Sequence, residues 1–193
     1  MQATTRIRPG LEMSSEEYEH FALGEAGRGW ELIDGRLRER PLMTVGHGRA
    51  ALELAFSLHR QLNPDESWVG HNWTRLKHAE RTYLIPDVVV HHARLPGDAR
   101  PDPWALDLQI APVLLVVEVI CPFAAGHYDF EAKVRAYRAR GDHEVWRLDP
   151  FERTLIAWRR QPDRSLSVET FSGGPITPVA LPDVTITLED IFV

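Results

Sequence analysis

The stretch Val113-Leu-Leu-Val-Val-Glu-Val-Ile120 decides how this chain is read. It is nearly continuous in apolar residues, the pattern of a strand covered on both faces. Cys121-Pro122 ends it. Downstream, residues 129–140 read as a helix stopped by Gly141, and Glu144-Val-Trp-Arg-Leu148 as a strand ended by Asp149-Pro150. Residues 154–158 and 165–170 look like an antiparallel pair, and residues 188–192 like a short closing turn. Upstream, Ile85-Pro-Asp-Val-Val-Val90 closes a strand-rich block that opens at Ser67. Residues 91–110 hold Pro96, Gly97, Pro101 and Pro103 and read as a loop.

Nearer the N-terminus, Ser14 and Glu17 form a capping-box pattern, which predicts a helix over about residues 15–23. Glu16, Glu17 and Glu19 suit the positive end of its dipole. Asp34-Gly35 between Trp30-Glu-Leu-Ile33 and Arg36-Leu37 is a hairpin signal, because both central residues of a type I′ turn need positive φ. Glu31 therefore sits on a strand just before the turn. His47 opens a longer helix with Ala51, Leu54, Ala55, Leu58 and Leu62 on one face, stopped by Asn63-Pro64-Asp65.

The chain of 193 residues suits one domain, here 14–193, behind a loose arm at 1–13. Hydrophobic content of 44% and charged content of 26% are globular values that exclude a disordered tail, a collagen-like fibre and a coiled coil. The longest apolar run, Ala111–Val117, falls far short of the roughly 20 residues of a membrane span. No secretory h-region is visible at the N-terminus. Cys121 is the one cysteine, so neither an internal disulfide nor a Cys-x-x-Cys zinc site is available, and a reducing cytoplasm is expected. Against 28 acidic residues stand 22 lysines and arginines, a net charge of −6, unlike a dedicated nucleic-acid binder but compatible with a local basic groove.

Glu118 interrupts the most apolar run in the chain, and a buried carboxylate must be paired, hydrogen-bonded or metal-bound. Asp87, between Pro86 and Val-Val-Val, poses the same question. Two ionised carboxylates side by side on neighbouring strands want a divalent cation, and oxygen ligands with water suit Mg2+ or Mn2+. Lys133 falls on the following helix, where Asp129 shares its face at i, i+4.

Glu31-Leu-Ile-Asp-Gly35, His47 at a helix start, Pro86-Asp87, Val117-Glu-Val-Ile-Cys-Pro122, Asp129-x-x-x-Lys133-x-x-x-Tyr137 and Trp146-x-x-Asp-Pro150 occur in that order. This ordered set resembles the Uma2 family of the PD-(D/E)XK restriction-endonuclease-like superfamily, over about residues 14–193. The resemblance implies an α/β (α+β) fold: a mixed central β-sheet flanked by helices, with an additional antiparallel N-terminal hairpin and C-terminal strands. It also implies a metal-dependent DNA endonuclease. Asp87 and Glu118 match the acidic metal ligands. The superfamily lysine would stand at Ile120; in Uma2-like sequences it has moved to the next helix, here Lys133. Asp87, Glu118, Lys133 and Glu31 would be the catalytic set: Lys133 would hold or help deprotonate the attacking water, Glu31 matches a further acid that could hold a second metal or a metal-bound water, and His47, Asp129 and Tyr137 would support the ligands. Cys121 replaces the family's usual serine and Val145 its usual tyrosine.

Each residue also has a structural reading. Asp87 can cap a loop, Glu118 can pair with Lys133, Glu31 can face an arginine across the hairpin, and His47 can serve only its helix. His91 and His92 are adjacent, hence on opposite faces of a strand and a poor metal pair. The six tryptophans in a one-domain chain suggest a homodimer held by the 68–83 region, with Trp68, Trp73 and Tyr83. The competing class is a nuclease-like fold that no longer cuts and serves as a binding or assembly module.

Overall fold

The computed structural model describes residues 7–41, 43–93, 106–121 and 130–192. Helix α1, Ser15–Leu23, starts as expected: Ser14 Oγ accepts from Glu17 N, and the Glu17 carboxylate accepts from Ser14 N at 2.7 Å. Strands β1, Trp30–Ile33, and β2, Arg36–Glu39, turn at Asp34 and Gly35, whose φ values of 50° and 77° match the hairpin reading. Helix α2, Val45–Gln61, is capped by Thr44 and buries Ala50, Ala51, Leu54, Ala55 and Leu58. Four strands follow: β3, Ser67–His71; β4, Arg75–His78; β5, Thr82–Leu84; β6, Val88–His92. Then come β7, Leu108–Gln109; β8, Leu115–Val119; α3, Phe130–Arg140; and β9, Glu144–Asp149. The chain ends with β10, Thr154–Arg160; β11, Leu166–Phe171; β12, Pro175–Ile176; β13, Ile186–Thr187; and α4, Leu188–Ile191.

The central sheet has six strands in the order β11-β10-β9-β8-β6-β3. Only β8 and β9 run parallel, with α3 between them in sequence, so the sheet is mixed. Alternation along β8 explains its unbroken apolar character. Leu115, Val117 and Val119 pack with α2, Trp146 and the C-terminal segment. Val116 faces the other way, among Val134 and Tyr137 of α3, Val89 and Val145. Successive strand side chains point to opposite faces, so a strand covered on both sides has no solvent-facing position to fill with polar residues.

The N-terminal hairpin is more than an addition to this sheet. It heads a second sheet of five strands, β2-β1-β5-β4-β7, in which Leu32 of β1 faces Tyr83 of β5. The C-terminal strands β10 and β11 extend the central sheet itself. Leu76 and Leu84 of the second sheet join the cluster beneath α3, while α1 covers Leu32, Leu37 and Tyr83. Within the stretch read as loop, residues 94–105 lie outside the described residues, and Leu108–Gln109 forms a short strand parallel to β4. Two residues carry no pattern of their own; partners distant in sequence make this strand.

The arm expected over 1–13 is also partly tied down. Gly10 N donates to Leu37 O and Leu37 N to Leu11 O, so residues 10–13 run along β2. Tyr83, expected at an interface, is fully buried against Tyr18 with its hydroxyl on Glu19, because β5 lies in the middle of its sheet. Trp68 and Trp73 are half exposed, at 48% and 54%. Of the two adjacent histidines, His91 is buried and His92 exposed, as alternation requires. Among the described residues no helix is long and apolar enough to cross a membrane.

The packing on β8 sets the stability of the domain. Leu115→Ala, at a fully buried position, is expected to cost about 2–5 kcal/mol through lost burial and a residual cavity. Urea denaturation of the purified protein measures this, with an unchanged m-value if the fold is retained.

Candidate active site

Between β5 and β6 the chain crosses from one sheet to the other through Ile85-Pro86-Asp87, and the candidate site forms at that crossing. The β6–β8 register pairs Val88 with Val117, and Asp87 N donates to Val117 O at 3.1 Å. Continued by one residue, the register sets Asp87 opposite Glu118. The two acids thus stand on neighbouring strands, on the α3 side of the central sheet, as the sequence suggested.

Asp87 is 2% exposed and fully engaged. Its Oδ2 accepts from Val119 N at 2.7 Å and lies 3.1 Å from His47 Nε2. Its Oδ1 accepts from Arg40 Nη2 at 2.5 Å. Burial alone would raise its pKa, but the His47 hydrogen bond and the Arg40 charge together hold it below the usual aspartate value.

Glu118, 4% exposed, behaves in the opposite way. Tyr137 Oη donates to its Oε1 at 2.5 Å, and Lys133 Nζ lies 2.5 Å from the same oxygen. Burial dominates and pushes its pKa up to about 7, opposed by Lys133 and reinforced by the negative charges of Asp87 and Glu31.

Glu31 comes from the other sheet and is fully buried. Although its backbone faces Arg38 in the hairpin, its Oε1 accepts from Ile85 N at 2.6 Å and from Lys133 Nζ at 3.0 Å. Lys133 also donates to Ile85 O at 3.5 Å. The ammonium therefore links Glu31, Ile85 and Glu118.

A pocket of about 140 Å³ opens onto this cluster. Arg40, His47, Asp87, Glu118, Cys121 and Phe130 are among its walls. Lys133 reaches the wall through Glu118, and Glu31 through Lys133. Among the described residues no three Asp, Glu, His or Cys side chains converge on one cation position. Asp87 and Glu118 face the pocket as a pair, and Glu31 does not join them there. Asp129 lies outside the described residues.

Of the supporting residues expected from the sequence, His47 and Tyr137 do touch the acids. Arg40 was missed. It follows β2 in the run Arg36-Leu-Arg-Glu-Arg40, where nothing local separates it from Arg36 and Arg38. Only the approach of β2's end to Asn72 and Asp87 singles it out, Asn72 Oδ1 accepting from Arg40 Nη2 at 3.1 Å.

A mixed sheet flanked by helices thus carries the acid pair on adjoining strands, with the lysine on the crossover helix behind them. A sequence model of the Uma2 family, described as "Putative restriction endonuclease", matches residues 15–189, and the chain belongs to that family. Among solved structures it is similar to "a putative nuclease belonging to DUF820" from Anabaena variabilis, with a TM-score of 0.74 and 16% sequence identity. That similarity covers 93% of this chain and 97% of the other. No curated protein matches it.

The raised pKa of Glu118 has a consequence for stability. Between the unfolded value near 4.3 and the folded value of about 7, the unfolded chain gives up its proton first. Native stability therefore falls as pH rises through that window and stays lowered above it. In chelator-treated protein, Glu118→Gln is expected to raise Tm at pH 8 and to give little gain at pH 5. Thermal scans at both pH values check this; an equal change at each would contradict it.

Proposed function

We propose that this chain is an endonuclease that uses Mg2+ or Mn2+ to hydrolyse phosphodiester bonds of DNA. The observation that carries this reading is the pairing of Asp87 and Glu118 across adjoining strands on one pocket wall, with Lys133 2.5 Å from Glu118. The donor set fits a hard divalent cation. Both groups offer carboxylate oxygens. Such a cation, when bound, makes water more acidic and stabilises charge at phosphoryl oxygens.

The protein's own part is orientation. Arg40, His47 and Val119 N fix the Asp87 carboxylate, and Tyr137 and Lys133 fix that of Glu118. Glu31 holds the Lys133 ammonium in place, so Lys133 and Glu31 are positioning residues acting through Glu118. Cleavage of supercoiled plasmid by the purified chain with Mg2+ or Mn2+ tests the reading. Asp87→Ala and Glu118→Ala are each expected to lose at least roughly a hundredfold in rate, and Lys133→Met about tenfold to a hundredfold, as groups that orient ligands do. Manganese at a hundredfold excess over its dissociation constant should stabilise the parent by about 2.7 kcal/mol and leave Glu118→Ala unshifted.

The reading includes a cytoplasmic location and a homodimer. Trp68 lies on β3, the edge strand of the central sheet, and is half exposed, as is Trp73, and exposed aromatic residues suit a contact with a second copy. Light scattering at micromolar concentration is expected to give twice the chain mass of 22.0 kDa, and Trp68→Glu to halve it.

One observation favours the alternative, a nuclease-like module that binds without cutting. Asp87 is already neutralised by Arg40, and Glu118 by Lys133. Metal-independent DNA binding without cleavage would select it.

A further inference from the structure

Arg147 lies in the same row as the acid pair. The β8–β9 register pairs Glu118 with Arg147, as it pairs Val116 with Val145. Val116 and Val145 both face α3, so Glu118 and Arg147, two residues further along each strand, face it too. Asp87, Glu118 and Arg147 therefore follow one another across β6, β8 and β9, with about 4.8 Å between neighbouring strands.

The guanidinium of Arg147 lies 5.4 Å from the centroid of the Phe130 ring. Phe130 is itself a wall of the pocket that holds Asp87 and Glu118, and its other neighbour is Trp158 at 5.9 Å. Arg147 thus sits one aromatic ring away from the acids, with its side chain 34% exposed.

The other inward arginines spend their donors inside the protein. Arg75 donates to Tyr18 Oη, Trp73 O and Gly27 O. Arg159 holds Glu144 and Glu169 at 2.8 and 2.5 Å, and Arg40 holds Asp87. Arg147 differs. Its Nε–H is buried with no hydrogen-bond partner among the described residues, and its ion pair with Asp149 is long, at 4.0 Å. The exposed part of the side chain is what a ligand can meet, and a guanidinium presents a planar fork that fits phosphate oxygens two at a time.

We infer that Arg147 binds a phosphate of the nucleic-acid backbone beside the bond held at Asp87 and Glu118, with Phe130 as the platform that aims its guanidinium. This rests on the nuclease reading above and names a backbone contact within it. Arg147 touches neither acid, so it is a substrate-binding residue, and its removal should weaken binding while leaving the acid pair intact.

The test is binding of a fluorescent 24-base-pair DNA duplex and of its single strand, in chelator so that no cleavage occurs, at several salt concentrations. Arg147→Gln is expected to bind at least one probe roughly tenfold more weakly at low salt. Its plot of log affinity against log salt should be flatter by about 0.9 for the duplex or about 0.7 for the single strand, the loss of one phosphate contact. Arg147→Lys keeps the charge and should restore the slope but not the full affinity. Both variants should melt within a few degrees of the parent. If Arg147→Gln does not fold, Arg147→Lys carries the test through its lowered affinity at parental slope. Parental affinity and slope in a folded Arg147→Gln would overturn the assignment and leave the nuclease reading standing. Failure of the parent to bind either probe would overturn both.

Discussion

A lysine ammonium with almost no access to solvent is the constraint on which this structure turns. Lys133 is 1% exposed. Desolvating such a charge costs several kcal/mol unless carboxylates and hydrogen bonds replace the water. Glu31 supplies one carboxylate from the five-stranded sheet, Glu118 another from the six-stranded sheet, and Ile85 O lies on the segment that joins the two. Both sheets and α3 must be assembled before this charge is compensated. Removing one partner would leave a buried charge uncompensated, so the pairs favour the arrangement in which all three elements meet.

The same cluster sets the two pocket acids apart. Asp87 is held as an anion by hydrogen bonds and a guanidinium, whereas Glu118 is buried beside two other carboxylates with one ammonium to share. Within the nuclease reading, a cation bound between the two acids would offset the cost of holding Glu118 ionised there, since ligand binding to the folded state adds to its stability.

Sheet register orders the site as well. Strand spacing and alternation place Asp87, Glu118 and Arg147 in one line across three strands, two acids followed by a cation. A phosphodiester lying along that line would meet opposite requirements at its two ends: a cation held by carboxylates at one, a guanidinium at the other. Strands β8 and β9, and the start of β6 next to Asp87, set this spacing, which suits a reaction that depends on positioning.

The elements with strong local signals were legible in the sequence. The capping box at Ser14 and Glu17, the Asp34-Gly35 turn, the apolar stripe of α2 and the doubly covered strand at 113–120 each follow from interactions within a few residues. Asp87 and Glu118 were legible because a carboxylate in an apolar run demands a partner, and the ordered family motifs supplied the context for Lys133. Other features depended on contacts between residues far apart in the chain. The second sheet exists because Leu32 meets Tyr83, and β7 because it lies beside β4. Arg40 is distinguished from Arg36 and Arg38 only by Asp87, which the fold brings to it. That Glu31 meets Lys133 and Ile85 N was not legible either, because those partners come from α3 and from the segment between the two sheets. Local chemistry determined which segments became helices, turns and buried strands. Long-range packing decided which charges met, because a charge's partner depends on where the fold brings it.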